Sequence, residues 1–286
     1  MTQSGPALTP HDEKALRALI AWWADAGIEM DEPIMAPRAV AAAATASRSE
    51  PRPAPRRAAP AEPVRTATPQ AARAAGFGDT ESSGPSAFTL AKGANTLDAL
   101  REAIGQFDGC ALKRTARNMV FARGDRSARV MVIGDAPGRD EDERGEPFAG
   151  QTGQLMDRML AAIGIERDVA YLTYVLNWRP PGNRAPTQDE IALCLPFAER
   201  HIALKKPDLL VLAGGLSAQA LLRSEAPITR MRGGWTDYPV RDAAGEPTDT
   251  TIPALPIFHP SYLLRRPTEK RLAWQDLLSL ESALKG

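Results

Sequence analysis

Three short segments carry the side chains with chemical capability in this chain. The first is Gly134-Asp-Ala-Pro-Gly138, with Glu141, Asp142 and Gly145-Glu-Pro-Phe-Ala-Gly150 downstream. A Gly-x-x-Pro-Gly turn brings backbone N–H groups to a surface and holds the Asp135 carboxylate, which can orient a water or stabilise a developing cation. Phe148 offers a planar ring for stacking. The same turn also suits an Asp that merely caps the following helix. The second segment is Thr173-Tyr-Val-Leu-Asn-Trp-Arg-Pro-Pro-Gly-Asn-Arg184, a rigid loop holding Asn177, Arg179, Asn183 and Arg184. Amides read nucleobase edges and Arg contacts phosphate, although ordinary solvated side chains look the same in sequence. The third is Phe258-His-Pro-Ser-Tyr-Leu-Leu-Arg-Arg266. A neutral His259 can donate a hydrogen bond to an anionic leaving group, and apolar loop residues can wedge into a base stack. The Gly-x-x-x-x-Gly-Lys-[Ser/Thr] phosphate loop is absent.

The elements that must position these segments read as alternating strands and helices. Arg129–Gly134, Ala170–Leu176, Asp208–Ala213 and Leu255–Phe258 are apolar runs of strand length. Helices are expected from Thr96 through Phe107, around Leu155–Ile163, from a Thr187/Glu190 capping box through Ile202, over Ser217–Arg223 and over Thr268–Leu284. This order predicts a three-layer α/β/α domain with a central, mainly parallel sheet over residues 96–286. Ligands in such a sheet bind outside the carboxyl ends of the strands, where the three segments fall.

Residues 1–30 read as one amphipathic helix, opened by Thr9-Pro10 and carrying Leu16, Leu19, Ile20 and Trp23 before Gly27. Residues 31–95 read as a disordered linker. Within it, Ala36–Ala75 holds 16 Ala, 7 Pro and 7 Arg with only two acids, a formal +5 balanced by −5 elsewhere. So little apolar surface cannot offset the entropy of folding. The linker suits a tether or a non-specific hold on nucleic-acid backbone. No apolar run approaches a membrane span, and the N-terminus lacks a basic start leading into an apolar stretch. Two cysteines, Cys110 and Cys194, build no disulfide framework. A reducing, cytoplasmic setting is therefore expected.

Taken together, the segments make residues Gly105–Leu284 resemble the uracil-DNA glycosylase superfamily, closest to its family 4 bacterial enzymes. The motifs that carry this are Gly134-Asp-Ala-Pro-Gly138 with Pro147-Phe-Ala-Gly150, Arg179-Pro-Pro-Gly-Asn-Arg184, Arg232-Gly-Gly-Trp235 and His259-Pro-Ser-Tyr-Leu-Leu-Arg265, in that order. The resemblance implies a monofunctional enzyme that flips uracil from single- or double-stranded DNA and hydrolyses its N-glycosidic bond. It implies that Asp135 activates water or stabilises the sugar cation and that His259 stabilises the uracil anion. Gly134, Ala136, Pro137 and Gly138 would shape the base pocket, with backbone amides at Asp135 and Ala136 meeting uracil O2 and Phe148 stacking on the ring. Ser261 would hold a phosphate through its backbone, Arg184 would contact DNA, and Leu264 and Arg265 would fill the gap left by the flipped base.

Two positions depart from the family pattern. Four cysteines there ligate a [4Fe–4S] cluster. Here Cys110 and Cys194 remain while Lys113 and Trp178 replace the others, so a cluster-free, metal-free protein is expected. The base-reading Asn is replaced by Tyr174, whose phenol cannot be donor and acceptor in one fork. Asn177, Asn183 and Arg184 are the candidate substitutes. A glycosylase for another deaminated base and a non-catalytic uracil- or abasic-DNA binder are the alternatives. The chain is expected to be a monomer, with a repair or replication protein as a possible partner of the N-terminal helix.

Overall fold

Residues Val130–Gly134 (β2), Tyr171–Tyr174 (β3) and Leu209–Ala213 (β4) are buried along their whole length, as continuous apolar runs are when both sheet faces are covered. In the computed structural model, which describes residues 84–285, they form the centre of a six-stranded sheet. Ala122–Arg123 (β1) and Thr236–Arg241 (β5) are the edges, Pro247–Ile257 is β6, and the order is β1-β3-β2-β4-β6-β5. The four inner strands run parallel and both edges antiparallel.

Helices cover both faces. On one side lie Ala87–Gly93 (α1), Leu97–Gln106 (α2), Gln188–Lys205 (α6) and Gly215–Leu222 (α7), packed through Leu100, Ile104, Phe197 and Ile202. On the other lie Gln151–Ala161 (α5), Pro260–Arg265 (α9) and Lys270–Lys285 (α10), packed through Leu155, Met159, Leu263, Leu277 and Leu280. Leu112–Thr115 (α3), Arg139–Arg144 (α4) and Ile228–Met231 (α8) are short connecting helices. The expected three-layer α/β/α architecture is thus the observed one. Thr96 and Thr187 cap their helices as their sequences require, through Ala99 N–H at 3.1 Å and Glu190 N–H at 3.2 Å.

Two boundaries differ from the sequence reading. The linker expected to reach residue 95 gives way earlier to α1, capped by Ser86 and burying Ala87, Ala91 and Ala94. The buried face of α1 is made of alanines, which form no stripe of large apolar residues by which a helix is recognised in sequence. The β5–β6 hairpin was not expected either. Pro239, Pro247 and several Asp and Thr residues disguise it, and an edge strand tolerates Pro because half its N–H groups need no partner. The N-terminal helix and the linker as far as residue 83 lie outside the described residues. Among those described, no helix is long and apolar enough to cross a membrane.

Candidate active site

Asp135 follows directly on β2, where the ends of β3 and β4 flank it. Leu176 N–H donates to the Asp135 carbonyl at 3.3 Å, and Gly214 N–H donates to Ile257 O at 3.1 Å, drawing the tips of β4 and β6 together. The Asp135 carboxylate meets the first turn of α7, where Ser217 N–H donates to Oδ1 at 2.8 Å. This is the partial positive end of a helix, suited to an anion. Burial pushes the carboxyl above its usual value, opposed by nearby His259 and by the Ser217 and Leu216 donors.

His259 reaches the same cleft from the end of β6 as the residue capping α9. Its Nδ1 accepts from Ser261 N–H at 3.2 Å and lies 2.8 Å from Ser261 Oγ. An Nδ1 that accepts leaves the ring proton on Nε2. Among the described residues Nε2 is buried without a hydrogen-bond partner, and burial pushes the ring's pKa down. His259 is therefore a neutral imidazole with one unspent N–H.

Asp135, Ala136, Pro137, Gly138, Tyr174 and His259 line one cleft of about 610 Å³, together with Asn183, Arg184, Ser261 and Arg265. It adjoins a second hollow of about 830 Å³ that shares Asp135, Ala185, Pro186 and Leu216. Leu264 is 39% exposed while Leu263 is buried, the arrangement a wedge residue needs.

Three expected roles meet different geometry. Asn177 is buried and off the cleft. Its amide donates to Val120 O at 3.0 Å, bracing the chain before β1, so the strand has ended but the side chain turns inward. Arg184 forks onto Glu190 at 2.6 and 2.8 Å, which satisfies the cation expected to contact DNA. The Ser261 N–H expected to hold a phosphate is instead committed to His259.

Phe148 also differs from expectation. It is only 2% exposed, and Tyr174 lies across it with ring centroids 4.8 Å apart at 26°. The Tyr174 hydroxyl accepts from Phe148 N–H at 3.1 Å. Gly134 makes room for this pair, since a Cβ there would come 2.5 Å from Tyr174 Cε1.

Residues to which the sequence assigned no role support the site. Buried Glu141 accepts from Gly138 N–H at 2.9 Å and from Ala149 N–H at 3.2 Å, clamping the Asp135 turn to the Phe148 loop. Arg123 donates to Pro147 O at 2.9 Å and pairs with Asp157. Arg232, in the Arg-Gly-Gly-Trp motif, pairs with Asp276 of α10, and Trp235 Nε1 donates to Ser279 Oγ at 2.8 Å. That motif ties the closing helix to the sheet.

These contacts follow the motif order along the chain. Residues 121–278, more than half the protein, match the family model described as "Uracil DNA glycosylase superfamily". The chain belongs to the uracil DNA glycosylase superfamily. Among its relatives are proteins named Type-4 uracil-DNA glycosylase. The one from Pyrobaculum aerophilum is 33% identical over 181 residues, covering 63% of this chain and 91% of the relative. Those from Archaeoglobus fulgidus and Thermotoga maritima are 35% and 31% identical, covering 60% and 66% of this chain and 85% and 95% of theirs.

Within this family member, the position expected for a cluster holds a different set of groups. Cys110 and Cys194 are buried beside one another, and the hydrogen bond to Cys110, with burial, pushes the Cys194 thiol up. Lys113 Nζ is spent on Gly105 O and Asp108, at 2.5 and 2.6 Å. Trp178 is buried in the same apolar cluster as both cysteines. Two thiols, a committed ammonium and an indole are not a donor set for a four-thiolate cluster.

Proposed function

We propose that this protein is a monofunctional uracil-DNA glycosylase, hydrolysing the N-glycosidic bond of a flipped deoxyuridine to leave an abasic site. The observation that carries the reading is the unspent His259 Nε2–H in the same cleft as the buried Asp135 carboxylate. As the C1′–N1 bond breaks, its electron pair leaves with the base and the sugar becomes cationic. Nε2–H donates to the developing base anion, and the Asp135 charge stabilises the sugar cation and receives a proton as water adds to C1′. Fixed N–H donors at Ser217 and Leu216 hold that carboxylate in place before the substrate arrives.

The double hollow meeting at Asp135 suits a nucleic-acid strand on either side of the flipped nucleotide, with Leu264 and Arg265 entering the vacated stack. The donor set at Cys110 and Cys194 supports function without an iron–sulfur cluster, Trp178 filling its volume. The two free cysteines support a cytoplasmic setting, and the zero net charge and single described α/β fold support a monomer. Incubation with a labelled strand bearing one uracil, followed by alkaline cleavage, tests the reading. Cleavage at the uracil, with a matched thymine strand left intact, supports it. An intact uracil strand, or borohydride trapping of a protein–DNA adduct, contradicts it.

A further inference from the structure

We propose that the Tyr174 side chain occupies the flipped base's own place against Phe148, and that uracil enters by displacing it. The inference rests on the glycosylase reading above and deepens it. Phe148 and Tyr174 are each only 2% exposed, and their rings stack on one another with centroids 4.8 Å apart. The other ring beside Phe148 is that of His259, with centroids 6.0 Å apart at 25°. A base inserted between two rings needs about 7 Å, twice the roughly 3.5 Å contact distance. Neither Phe148 nor Tyr174 therefore offers a base an open face while the two remain paired.

Tyr174 meets its neighbours as a base would. Its ring stacks on Phe148 and fills the space that Gly134 leaves open beside Asp135. Its hydroxyl oxygen accepts the Phe148 N–H at 3.1 Å. A ring carbonyl of uracil can take over that N–H, and the uracil ring can take over the Phe148 face. The walls of this slot are fixed. Phe148 is held at a φ of +52° between Pro147, whose carbonyl accepts from Arg123, and Ala149, whose N–H donates to Glu141. Tyr174 is the part with room to move, because it borders the 610 Å³ cleft. Turning it aside costs the ring stack and the hydrogen bond. The affinity for uracil is lowered by the fraction of molecules in which Tyr174 stands clear.

The test is affinity for a non-cleavable strand bearing one 2′-fluoro-2′-deoxyuridine, with a matched thymine strand as the floor for non-specific binding. Tyr174→Ala, which uncovers Phe148, should bind the uracil strand about 10- to 100-fold more tightly than wild type, the combined value of one ring stack and one hydrogen bond. Its hold on the thymine strand should not change. Tyr174→Phe, which keeps the ring but loses the hydroxyl, should gain about 2- to 10-fold on the uracil strand. Unchanged or weaker uracil binding by Tyr174→Ala overturns the proposal, and so does equal tightening on both strands. Should Tyr174→Ala fail to fold, Tyr174→Phe decides: tighter uracil binding supports the proposal, and equal or weaker binding overturns it. Failure of the glycosylase reading looks different. If neither wild type nor Tyr174→Ala releases uracil from a cleavable strand, that reading falls and takes this inference with it. If wild type releases uracil and Tyr174→Ala gains no affinity, only the displacement of Tyr174 is overturned.

Discussion

The backbone of Gly214 packs directly onto the carboxylate of Asp135. A Cβ at Gly214 would lie 2.3 Å from Oδ1 and 2.4 Å from Oδ2, and the residue's φ of +131° is one that side-chain-bearing residues rarely adopt. Gly214→Ala should therefore displace the carboxylate and cut activity by about 100-fold, the cost of roughly an ångström at a reacting centre. Gly245→Ala, at φ +77° on the β5–β6 turn, carries similar backbone strain far from the cleft. It should lower the melting temperature while leaving uracil release intact, as paired melting and excision assays would show.

The pH profile should reflect Asp135 on its acid side. Its carboxyl is raised above 3.8 by burial, and only the charged form stabilises a cation. Activity should therefore fall as pH drops through a value above the ordinary carboxylate range. Stability carries the opposite sign. A carboxyl that binds its proton more tightly when folded loses stability as pH rises past its unfolded value, so Asp135→Asn should melt no lower than wild type at neutral pH. His201, pushed down to about 3 by burial beneath Tyr171, and His259, also lowered, resist a proton that the unfolded chain takes below 6.5. Below that pH the fold should lose up to about 1.4 kcal/mol per pH unit for each, measurable by denaturant titration.

Most of the fold was legible because the inner strands are uninterrupted apolar runs and the helices carry their caps. The site was legible where chemistry sits at strand tips, as at Asp135 and His259. It was not legible where a side chain's direction depends on tertiary contacts. Nothing in the order Tyr174-Val-Leu-Asn177 tells that the amide turns to Val120 or that the phenol lies across Phe148. Nor does Ser217, more than eighty positions from Asp135, announce itself as that carboxylate's donor.

Glu141 should act through the loops it clamps. In Glu141→Gln one of two backbone N–H donors, Gly138 or Ala149, must face an amide NH₂ instead of an oxygen. An unsatisfied buried donor costs about 1–3 kcal/mol. The expected result is a lower melting temperature together with a raised KM, because both loops border the base pocket. A change in melting temperature with KM untouched would show that the clamp serves the fold alone.

Protein purified without oxygen should contain no stoichiometric iron and show no brown cluster absorbance, and Cys194→Ser should leave excision unaffected. Restoring thiols by the double change Lys113→Cys and Trp178→Cys should allow cluster assembly, read as iron content and visible absorbance. Stoichiometric iron in the unaltered protein would refute the cluster-free assignment.

The most direct test of the central claim is single-turnover release of uracil from a labelled strand by wild type, Asp135→Asn and His259→Ala. Each substitution removes one half of the charge stabilisation and should slow release by about 100- to 1,000-fold, with strand binding retained. Release by His259→Ala at the wild-type rate would contradict the account.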